Sequence, residues 1–448
     1  MPKKKTALTI EERLQQALVP AEEQPYEVPE NWVWVRLGAV CYASKEKSND
    51  FSNDIKYIGL EHLEKDKGIV GFSSADKVKS TKNAFKEGQI LYGRLRPYLN
   101  KHDITSFDGV CSTDILVFEV TNLVANVLVD NFFNLPFFIE YVVSNSKGIN
   151  LPRVSEETVL NTTFPLPPLS EQQRIVERIE ELFAKLDEAK ERLQEVADSF
   201  AVRKAAILHK AFTGELTKQW RRENGVSDES WEEKKGEDFF EYVTSGSRGW
   251  AKYYSDKGSI FVRMGNLNHG TIELDFSDIQ YVELPDQVEG QRSKLQKNDI
   301  LISITADVGM IGLVREDMDA YINQHVALVR PKDNLYAEFL AWYFVSDVGL
   351  KQMQNKQRGA TKIGLGLQDI RSIILKIPSL PEQHEIVRLI DALLARERAA
   401  QQAAEQALAS IDLMKKSILA RAFRGELGTN KASEASALEL LRQVLAEN

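Results

Sequence analysis

Cysteine and histidine are scarce in this sequence. Two cysteines, Cys41 and Cys111, and six histidines occur among 448 residues. The two cysteines are far apart and have no neighbouring ligand residues, which argues against a disulfide framework and against zinc. The sequence also has no run of eighteen apolar residues and no secretory leader pattern. We therefore expect a protein of the reducing cytoplasm with no membrane association.

The residue patterns of common catalytic sites are missing as well. The histidines are scattered without metal-ligand spacing, at His62, His102, His209, His269, His325 and His384. Gly359 and Gly364 have the spacing of a P-loop, but Leu365 stands where that motif requires lysine. We predict no catalytic residue, no metal site and no cofactor.

Acidic residues outnumber basic ones, 66 to 57, which gives a net charge of −9 and a pI of about 5.5. This balance counts against a protein that coats nucleic acid nonspecifically, because such proteins are basic. Much of the acidic excess lies in the segment 177–195, so other segments are locally basic. A chain of this length is expected to form about three compact units.

A long segment occurs twice. Residues 169–216 recur as residues 380–427 without insertion or deletion. The offset is 211 residues for each matched pair: Gln172 and Gln383, Ile175 and Ile386, Ile207 and Ile418, Phe212 and Phe423, Gly214 and Gly425. A repeat kept to one length over its whole extent indicates that the length itself is constrained.

Both copies have the heptad pattern of a coiled coil. The first copy has apolar positions at Ile175, Ile179, Leu182, Leu186, Ala189, Leu193, Val196, Phe200 and Ile207, with Arg203 in the remaining slot. The second has Ile386, Ile390, Leu393, Glu397, Ala400, Ala404, Ala407, Ile411, Met414 and Ile418. Large residues in one copy match alanines in the other, so we predict two helices of about forty residues that pack antiparallel. The predicted helix ends are Ser170 as an N-cap, Pro381 as a first helical position, and Gly214 and Gly425 as stops.

Each long helix follows a globular region, and the two regions share a plan. Strand-like runs are predicted at 57–63, 90–95 and 115–120, and again at 260–267, 299–304 and 326–330. Helix-like runs follow at 130–144 and 336–345, and short amphipathic helices are predicted at 8–18 and 437–447. The fold class is α+β: two mixed globular regions and two long antiparallel helices, arranged as a tandem repeat with an approximate two-fold axis.

The predicted division has six segments. They are an N-terminal helix and linker at 1–24, a globular region at 25–168, a helical segment at 169–224, a second globular region at 225–379, a second helical segment at 380–429, and a tail at 430–448.

A basic loop follows the predicted strand 90–95 in the first globular region. Arg94, Arg96, Asn100 and Lys101 lie in it among tyrosines, and Lys147 lies in a second loop before the long helix. Arginine and lysine suit phosphate contacts, and arginine also reads guanine edges. These residues are candidate DNA ligands, although a charged turn at a strand end explains the pattern equally well.

The second globular region has a glycine-rich loop at 244–254. It combines hydroxyl groups, aromatic residues and the cations Arg248 and Lys252, and glycines allow a backbone to approach phosphate closely. A flexible surface loop is the alternative interpretation. The candidate DNA ligands of this region are Ser245, Arg248, Lys252, Asn266, Arg358 and Lys362.

Four short motifs accompany the repeat. They are PYEVPENW at 25–32, PLPPLSEQQRIV at 165–176, AFTGEL at 211–216 and AFRGEL at 422–427. Together with the constant offset, they resemble the specificity subunit family (HsdS) of type I restriction-modification systems. The resemblance covers essentially the whole chain.

The resemblance implies a non-catalytic, DNA-binding subunit. Each globular region would be a target recognition domain for one half of a bipartite, asymmetric site in double-stranded DNA. The helices would set the spacing between the halves and dock two modification (methyltransferase) subunits. S-adenosylmethionine would belong to those subunits, and ATP-driven cleavage to restriction subunits.

Two other functions stay open at this point. A structural coiled-coil protein whose globular regions bind other proteins would suit the net acidity. A fused enzyme would need the cofactor or nuclease motifs that the sequence lacks.

Overall fold

The computed structural model describes residues 9–49, 52–77, 80–285, 290–358 and 364–447. The chain divides into two compact units. Unit 1 contains residues 1–193 and 406–448, and unit 2 contains residues 194–405. Each unit therefore contains one globular region together with part of each long helical segment. The six-segment division of the chain stays a prediction.

The long helical segments are helical almost throughout. The first consists of the helices Leu169–Asp198 and Phe200–Phe212, and the second is the single helix Leu380–Ala422. The expectation of one uninterrupted first helix was wrong at Ser199. The Ser199 hydroxyl donates to the Val196 carbonyl at 2.6 Å, so the side chain competes with the helical hydrogen-bond pattern.

The predicted helix ends were partly right. The first helix begins at Leu169, so Ser170 lies inside its first turn and is not the N-cap. Pro381 lies in the first turn of the second helix, where its missing N–H has no helical partner to lose. Gly214 and Gly425 follow the helix ends with φ values of 80° and 72°, a conformation that glycine adopts most readily.

The long helices run antiparallel within each unit. In unit 1, Lys415 Nζ donates to Asp187 Oδ1 at 2.6 Å, and Lys190 Nζ lies 3.6 Å from Asp412 Oδ1. In unit 2, Arg203 pairs with Glu397, and further along the two segments Thr217 contacts Glu382. The predicted antiparallel packing is confirmed inside each unit.

The predicted apolar heptad positions, which form the apolar seam of each long helix, are buried at some sites and exposed at others. Ile175, Ile179, Ile386, Ile390, Ala404 and Ile411 are buried. Val196, Ala400 and Met414 are exposed instead. A straight helix drifts relative to a strict seven-residue repeat, so a sequence heptad cannot stay buried over forty residues unless the helices supercoil.

Unit 1 carries two larger sheets. One runs in the order His102–Ile104, Ile90–Gly93, Ile115–Val120, Cys41–Ala43, with antiparallel neighbours. The other runs in the order Lys47–Ser48, Lys82–Phe85, Gly109–Cys111, Lys56–Ile58, Ser73–Ser74. Small antiparallel pairs join Val33–Arg36 to Thr163–Leu166 and Leu63–Glu64 to Gly68–Ile69. The remaining helices are Ile10–Ala17, Asn126–Phe133, Pro136–Ser144, Glu156–Leu160 and Ala437–Glu447.

Unit 2 repeats the first of these sheets. Its order is Ile311–Leu313, Ile300–Ser303, Val326–Pro331, Phe240–Ser245. A second sheet runs in the order Tyr254–Ser255, Tyr281–Val282, Ser259–Val262, Ala320–Ile322, and Glu232–Lys235 pairs with Ile374–Ile377. Its shorter helices are Lys218–Glu223, Gly236–Phe239, Ala337–Val345, Asp347–Asn355 and Leu367–Arg371.

The tandem α+β repeat is confirmed. Helices Asn126–Phe133, Pro136–Ser144 and Glu156–Leu160 have counterparts that begin 211 residues later, at Ala337, Asp347 and Leu367. The predicted helix 130–144 is instead two helices, because Pro136 starts a new helix. The predicted strands 57–63 and 260–267 end early, at Ile58 and Val262, and tight 3₁₀ turns follow.

A glutamine fixes the start of each long helix to its globular region. Gln172 Oε1 accepts from the Ala125 amide at 3.0 Å, and Gln383 Oε1 accepts from the Tyr336 amide at 2.7 Å. Both glutamines are buried. Because Ala125 and Tyr336 cap the first core helix of each unit, the bond sets where the long helix leaves the core.

The residue before each glutamine is a fully buried glutamate. Glu171 accepts hydrogen bonds from Trp32, Thr429 and Asn430 at 2.7, 3.0 and 2.8 Å. Glu382 accepts from Thr217, Arg221 and Trp231 at 2.7, 2.6 and 3.1 Å. The pair Glu-Gln at 171–172 and 382–383 is therefore a structural element of both units.

Among the described residues, no single helix has the length and apolar character needed to cross a membrane. Asn126–Phe133 and Pro136–Ser144 meet that criterion only as a pair, bent by 68°. Phe132, Phe133 and Phe138 of this pair lie in the core of unit 1.

Candidate nucleic-acid interface

The basic loop of unit 1 has a fixed backbone. It follows strand Ile90–Gly93 and contains a 3₁₀ turn, Pro97–Leu99. Arg96 and Asn100 flank this turn with φ values of 53° and 42°. Non-glycine residues seldom adopt this left-handed conformation, so the surrounding structure must hold the loop in place.

The structure brings the two predicted loops of unit 1 together. Lys147 and Arg153 exchange backbone hydrogen bonds of 2.9 and 2.8 Å, and the Arg96 amide donates to the Pro152 carbonyl at 2.7 Å. The segment around Arg153 therefore ties the Arg94–Arg96 turn to the Lys147 loop. Arg96 and Lys147 are exposed, and Arg94 is half-buried.

Two of the predicted ligands in unit 1 point elsewhere. Asn100 is 5% exposed, and its amide nitrogen lies 3.2 Å from Asn134 Oδ1. Lys101 Nζ donates to the Leu60 carbonyl at 2.9 Å. In this conformation both side chains hold the loop against the core rather than facing a ligand.

Sequence reasoning missed Arg153. Its Nε donates to Asp114 Oδ1 at 2.9 Å, so its charge is partly balanced, but the side chain stays exposed beside Lys147. An arginine six residues after Lys147 was a visible signal. Only the backbone pairing of Arg153 with Lys147 places this arginine at the loop, and the sequence pattern does not predict that pairing.

The glycine-rich loop of unit 2 is anchored rather than loose. Ser245 ends strand Phe240–Ser245, and a Cβ on Gly246 would lie 1.9 Å from the Ile322 carbonyl oxygen. Trp250, inside the loop, is buried against Phe261. Arg248 and Lys252 are therefore held exposed on a fixed backbone.

The other candidates of unit 2 have separate environments. Asn266 is 4% exposed, and its amide donates to the carbonyls of Asp275 and Asp278 at 2.8 and 3.0 Å. Arg358 is exposed and donates to Asp369 Oδ1 at 2.7 Å. Lys362 lies outside the described residues.

A chain of contacts connects the loops of unit 2. The Gly246 amide donates to the Asn323 carbonyl at 3.2 Å, and His325 Nδ1 lies 2.6 Å from Thr305 Oγ1. Thr305 forms a backbone bridge to Gly364, which pairs with Arg358. His325, which is exposed, thus lies between the two predicted loops.

Both units present the same backbone frame with different side chains. Arg96 has its counterpart at Ala306, which also has a positive φ, 62°. The bridges of the frame are Leu95 to Arg153 to Lys147 in unit 1 and Thr305 to Gly364 to Arg358 in unit 2.

Within the described part of the chain, no carboxylate forms an ion pair with Arg96, Lys147, Arg248 or Lys252. Exposed, unpaired cations on a fixed loop suit contacts to phosphate.

The described ranges contain no group of three or more histidine, cysteine or acidic side chains placed to hold a metal ion. Cys41 and Cys111 are buried free thiols, and burial raises the pKa of Cys111 to about 12. A thiol with so high a pKa stays protonated at neutral pH and is a poor nucleophile.

The chain is similar to one protein family along most of its length. Residues 29–198 and 228–407 each match the family described as type I restriction modification DNA specificity domain. The EcoBI specificity subunit of Escherichia coli, from a type I restriction enzyme, is 30% identical over 334 residues, 70% of each protein. The EcoKI specificity subunit of Escherichia coli K12 is 26% identical over 459 residues, covering 94% of this chain and 96% of that protein.

Solved structures share the fold. A chain from a type I R-M system structure covers 90% of this chain with a TM-score of 0.68 and 22% identity, and is itself matched over 100% of its length. The HsdS subunit from Thermoanaerobacter tengcongensis also covers 90% of this chain, with a TM-score of 0.67, 22% identity and 99% of its own length matched.

Proposed function

This chain belongs to the family of type I restriction-modification DNA specificity subunits, and from that premise we propose that each globular region reads one half of a bipartite, asymmetric DNA site. A specificity subunit recognises DNA sequence and is non-catalytic. Methyl transfer and cleavage belong to partner subunits.

The observation that supports this proposal most directly is the shared loop frame. Two units with one backbone arrangement but different exposed side chains suit the recognition of two different half-sites. In unit 1 the proposed DNA-facing residues are Arg94, Arg96, Lys147 and Arg153. In unit 2 they are Ser245, Arg248, Lys252, Arg358 and Lys362. Asn100 and Asn266 are left out because they are buried, and Lys101 is left out because its ammonium donates to the Leu60 carbonyl.

The long helices would act as a ruler and a docking surface. Their equal length in the two copies supports a role in fixing the distance between half-sites. We propose that they bind two modification subunits, which would supply S-adenosylmethionine, and that restriction subunits join to that assembly. Free buried cysteines suit a reducing cytoplasm as the place of action.

Methylation sequencing tests the proposal. The chain is expressed with its modification subunits in a host that lacks other methyltransferases, and the methylated positions in the host DNA are mapped. A bipartite motif with a fixed gap is expected. Methylation without a bipartite motif would contradict it.

Half-site variants test whether each globular region reads its half-site independently. Arg96→Ala is expected to relax recognition of one half of the motif, and Arg248→Ala the other half. Equal loss at both halves from either variant would contradict independent reading.

A gel-shift assay separates this function from the alternative of a coiled-coil protein that binds other proteins. The chain is tested alone and with its modification subunits at moderate salt. Specific retention of the motif duplex over a scrambled duplex is expected for the assembled complex. Protein assembly without sequence-specific retention would favour the alternative.

A further inference from the structure

The side chain of Ile149 is unusually exposed. It is 99% accessible to solvent, and the next most exposed of the described large apolar side chains, Val202, is 71% accessible. Removing an isoleucine side chain from water lowers the free energy, so a loop that could rearrange would be expected to cover Ile149. A single exposed apolar side chain is common on protein surfaces, so the significance of Ile149 depends on the fixed loop and the charged groups around it.

The loop that carries Ile149 is short and constrained. The two hydrogen bonds between Lys147 and Arg153 close the loop at its base. Gly148 has a φ of 109°, and a Cβ there would lie 3.0 Å from the Leu151 carbonyl oxygen. The loop is therefore a short, closed projection with Ile149 near its tip.

The surroundings of the tip are polar and basic. Asn150 follows Ile149, is exposed, and makes no hydrogen bond with any side chain or backbone group among the described residues. Lys147 and Arg153 stand at the base, and Arg96 is tied to the same segment. Cations at the base can contact phosphates on either side of a groove, which leaves the tip to reach the bases.

The pair Ile149 and Asn150 matches one base pair better than the others. In the major groove, adenine offers the N7 acceptor and the N6 donor that an asparagine amide pairs with, and thymine offers an apolar C5 methyl group. We propose that the 147–153 loop enters the major groove, that Ile149 packs on a thymine methyl, and that Asn150 bonds an adenine edge. This inference rests on the proposed function and assigns two residues within it.

Replacing thymine by uracil tests the contact directly, because uracil lacks only the methyl group. The full chain in complex with its modification subunits is titrated with duplexes of the mapped motif in which each thymine is replaced in turn. At one thymine of the half-site read by unit 1, uracil is expected to weaken binding about fivefold.

The variants complete the test. Ile149→Ala is expected to weaken binding by a similar factor and to make the complex insensitive to uracil at that position. Ile149→Val is expected to keep most of the affinity and the uracil sensitivity. Val70→Ala, an exposed apolar residue elsewhere in unit 1, is the matched control and is expected to bind like wild type.

Several results would overturn the inference. These are the absence of any uracil-sensitive thymine in that half-site, unchanged binding by Ile149→Ala, or uracil sensitivity that persists in Ile149→Ala. An Ile149-dependent rise in 2-aminopurine fluorescence would mean that the side chain separates stacked bases instead. If the wild-type complex binds no specific motif, the proposed function itself fails. If it binds the motif without dependence on Ile149, only this inference fails.

Discussion

Arg203 and Glu397, the polar residues that interrupt the two apolar seams, are ion-pair partners. Arg203 Nε donates to Glu397 Oε2 at 2.8 Å, and the guanidinium lies 4.3 Å from the centre of the Phe200 ring. Glu397 stands where the first helix has Leu186. A polar pair placed within an apolar seam can fix the register of two helices, because any slip separates the charges.

The coupling between these two residues can be measured. Arg203→Ala and Glu397→Ala are each expected to lower stability, with a coupling energy of about 1 kcal/mol, because the pair is partly screened by solvent. The double variant Arg203→Leu with Glu397→Leu is expected to be at least as stable as wild type, since an apolar pair avoids desolvating charges. Urea unfolding followed by circular dichroism of wild type, the two single alanine variants and the double alanine variant provides the four corners of the cycle. The pair Glu188 and Arg192, exposed on both sides within the first long helix, is the control and should show a smaller coupling. A coupling near zero for Arg203 and Glu397 would contradict the register role.

Removing Arg221 is expected to destabilise unit 2 strongly. Arg221 donates to Glu382 at 2.6 Å, and both side chains are almost completely buried. Arg221→Ala leaves a buried carboxylate without its cation, at a cost of about 3 to 5 kcal/mol. Thermal unfolding should show a lower transition for Arg221→Ala, whereas the exposed neighbour Arg222→Ala should melt like wild type. A melting temperature unchanged by Arg221→Ala would contradict a stabilising role for this ion pair.

Unit 1 is expected to lose stability as pH rises above about 6.5. Burial alone would lower the pKa of His102, but the carboxylate of Asp130, 2.6 Å from Nδ1, together with Asn134 and Asp103, raises it. A raised folded-state pKa means that the stabilisation is fully present below the unfolded-state pKa and disappears as pH rises through the folded-state value. Urea midpoints between pH 5.5 and 8.5 should fall more steeply for wild type than for His102→Gln. His209→Gln, an exposed histidine of unit 2, is the control. Parallel slopes for wild type and His102→Gln would refute the assignment.

Lys147 should contribute to the salt dependence of DNA binding. If its ammonium neutralises one phosphate, Lys147→Ala reduces the slope of log K against log salt concentration by about 1. The measurement is a fluorescence titration of the motif duplex at several salt concentrations. Lys234→Ala, on the exposed strand Glu232–Lys235, is the control and should leave the slope unchanged. A slope that Lys147→Ala does not alter would remove Lys147 from the interface.

Lengthening the long helices should lengthen the recognised site. Four residues inserted after Glu191, matched by four after Ser410, add about one helical turn and about 6 Å to both helices. The matched insertion preserves the ion pair between Lys415 and Asp187 on one side of the inserted turn. Methylation sequencing is expected to show both half-sequences unchanged and a gap longer by about two base pairs. An unchanged gap would show that the helices do not set the spacing.

Much of the architecture could be predicted from the sequence. The constant offset of 211 residues, the heptad pattern and the alternation of strand-like and helix-like runs depend on local periodicity, which a sequence records directly. Gly214 and Gly425 were predictable for the same reason, since their left-handed conformation is a local property. The family resemblance likewise depended on motifs that can be found without coordinates.

The positions of individual side chains were decided by tertiary contacts. Asn100 and Asn266 have the composition of surface ligands, yet they are buried because neighbouring segments supply their hydrogen-bond partners. Arg153 gained significance from its backbone pairing with Lys147, and Glu397 from the arginine 194 positions earlier in the chain. The sequence by itself determined the repeat, the element types and the family, because these follow from short-range order. Only the tertiary structure decided which polar residues face solvent and which face each other, because the contacts responsible join segments that are remote in the chain.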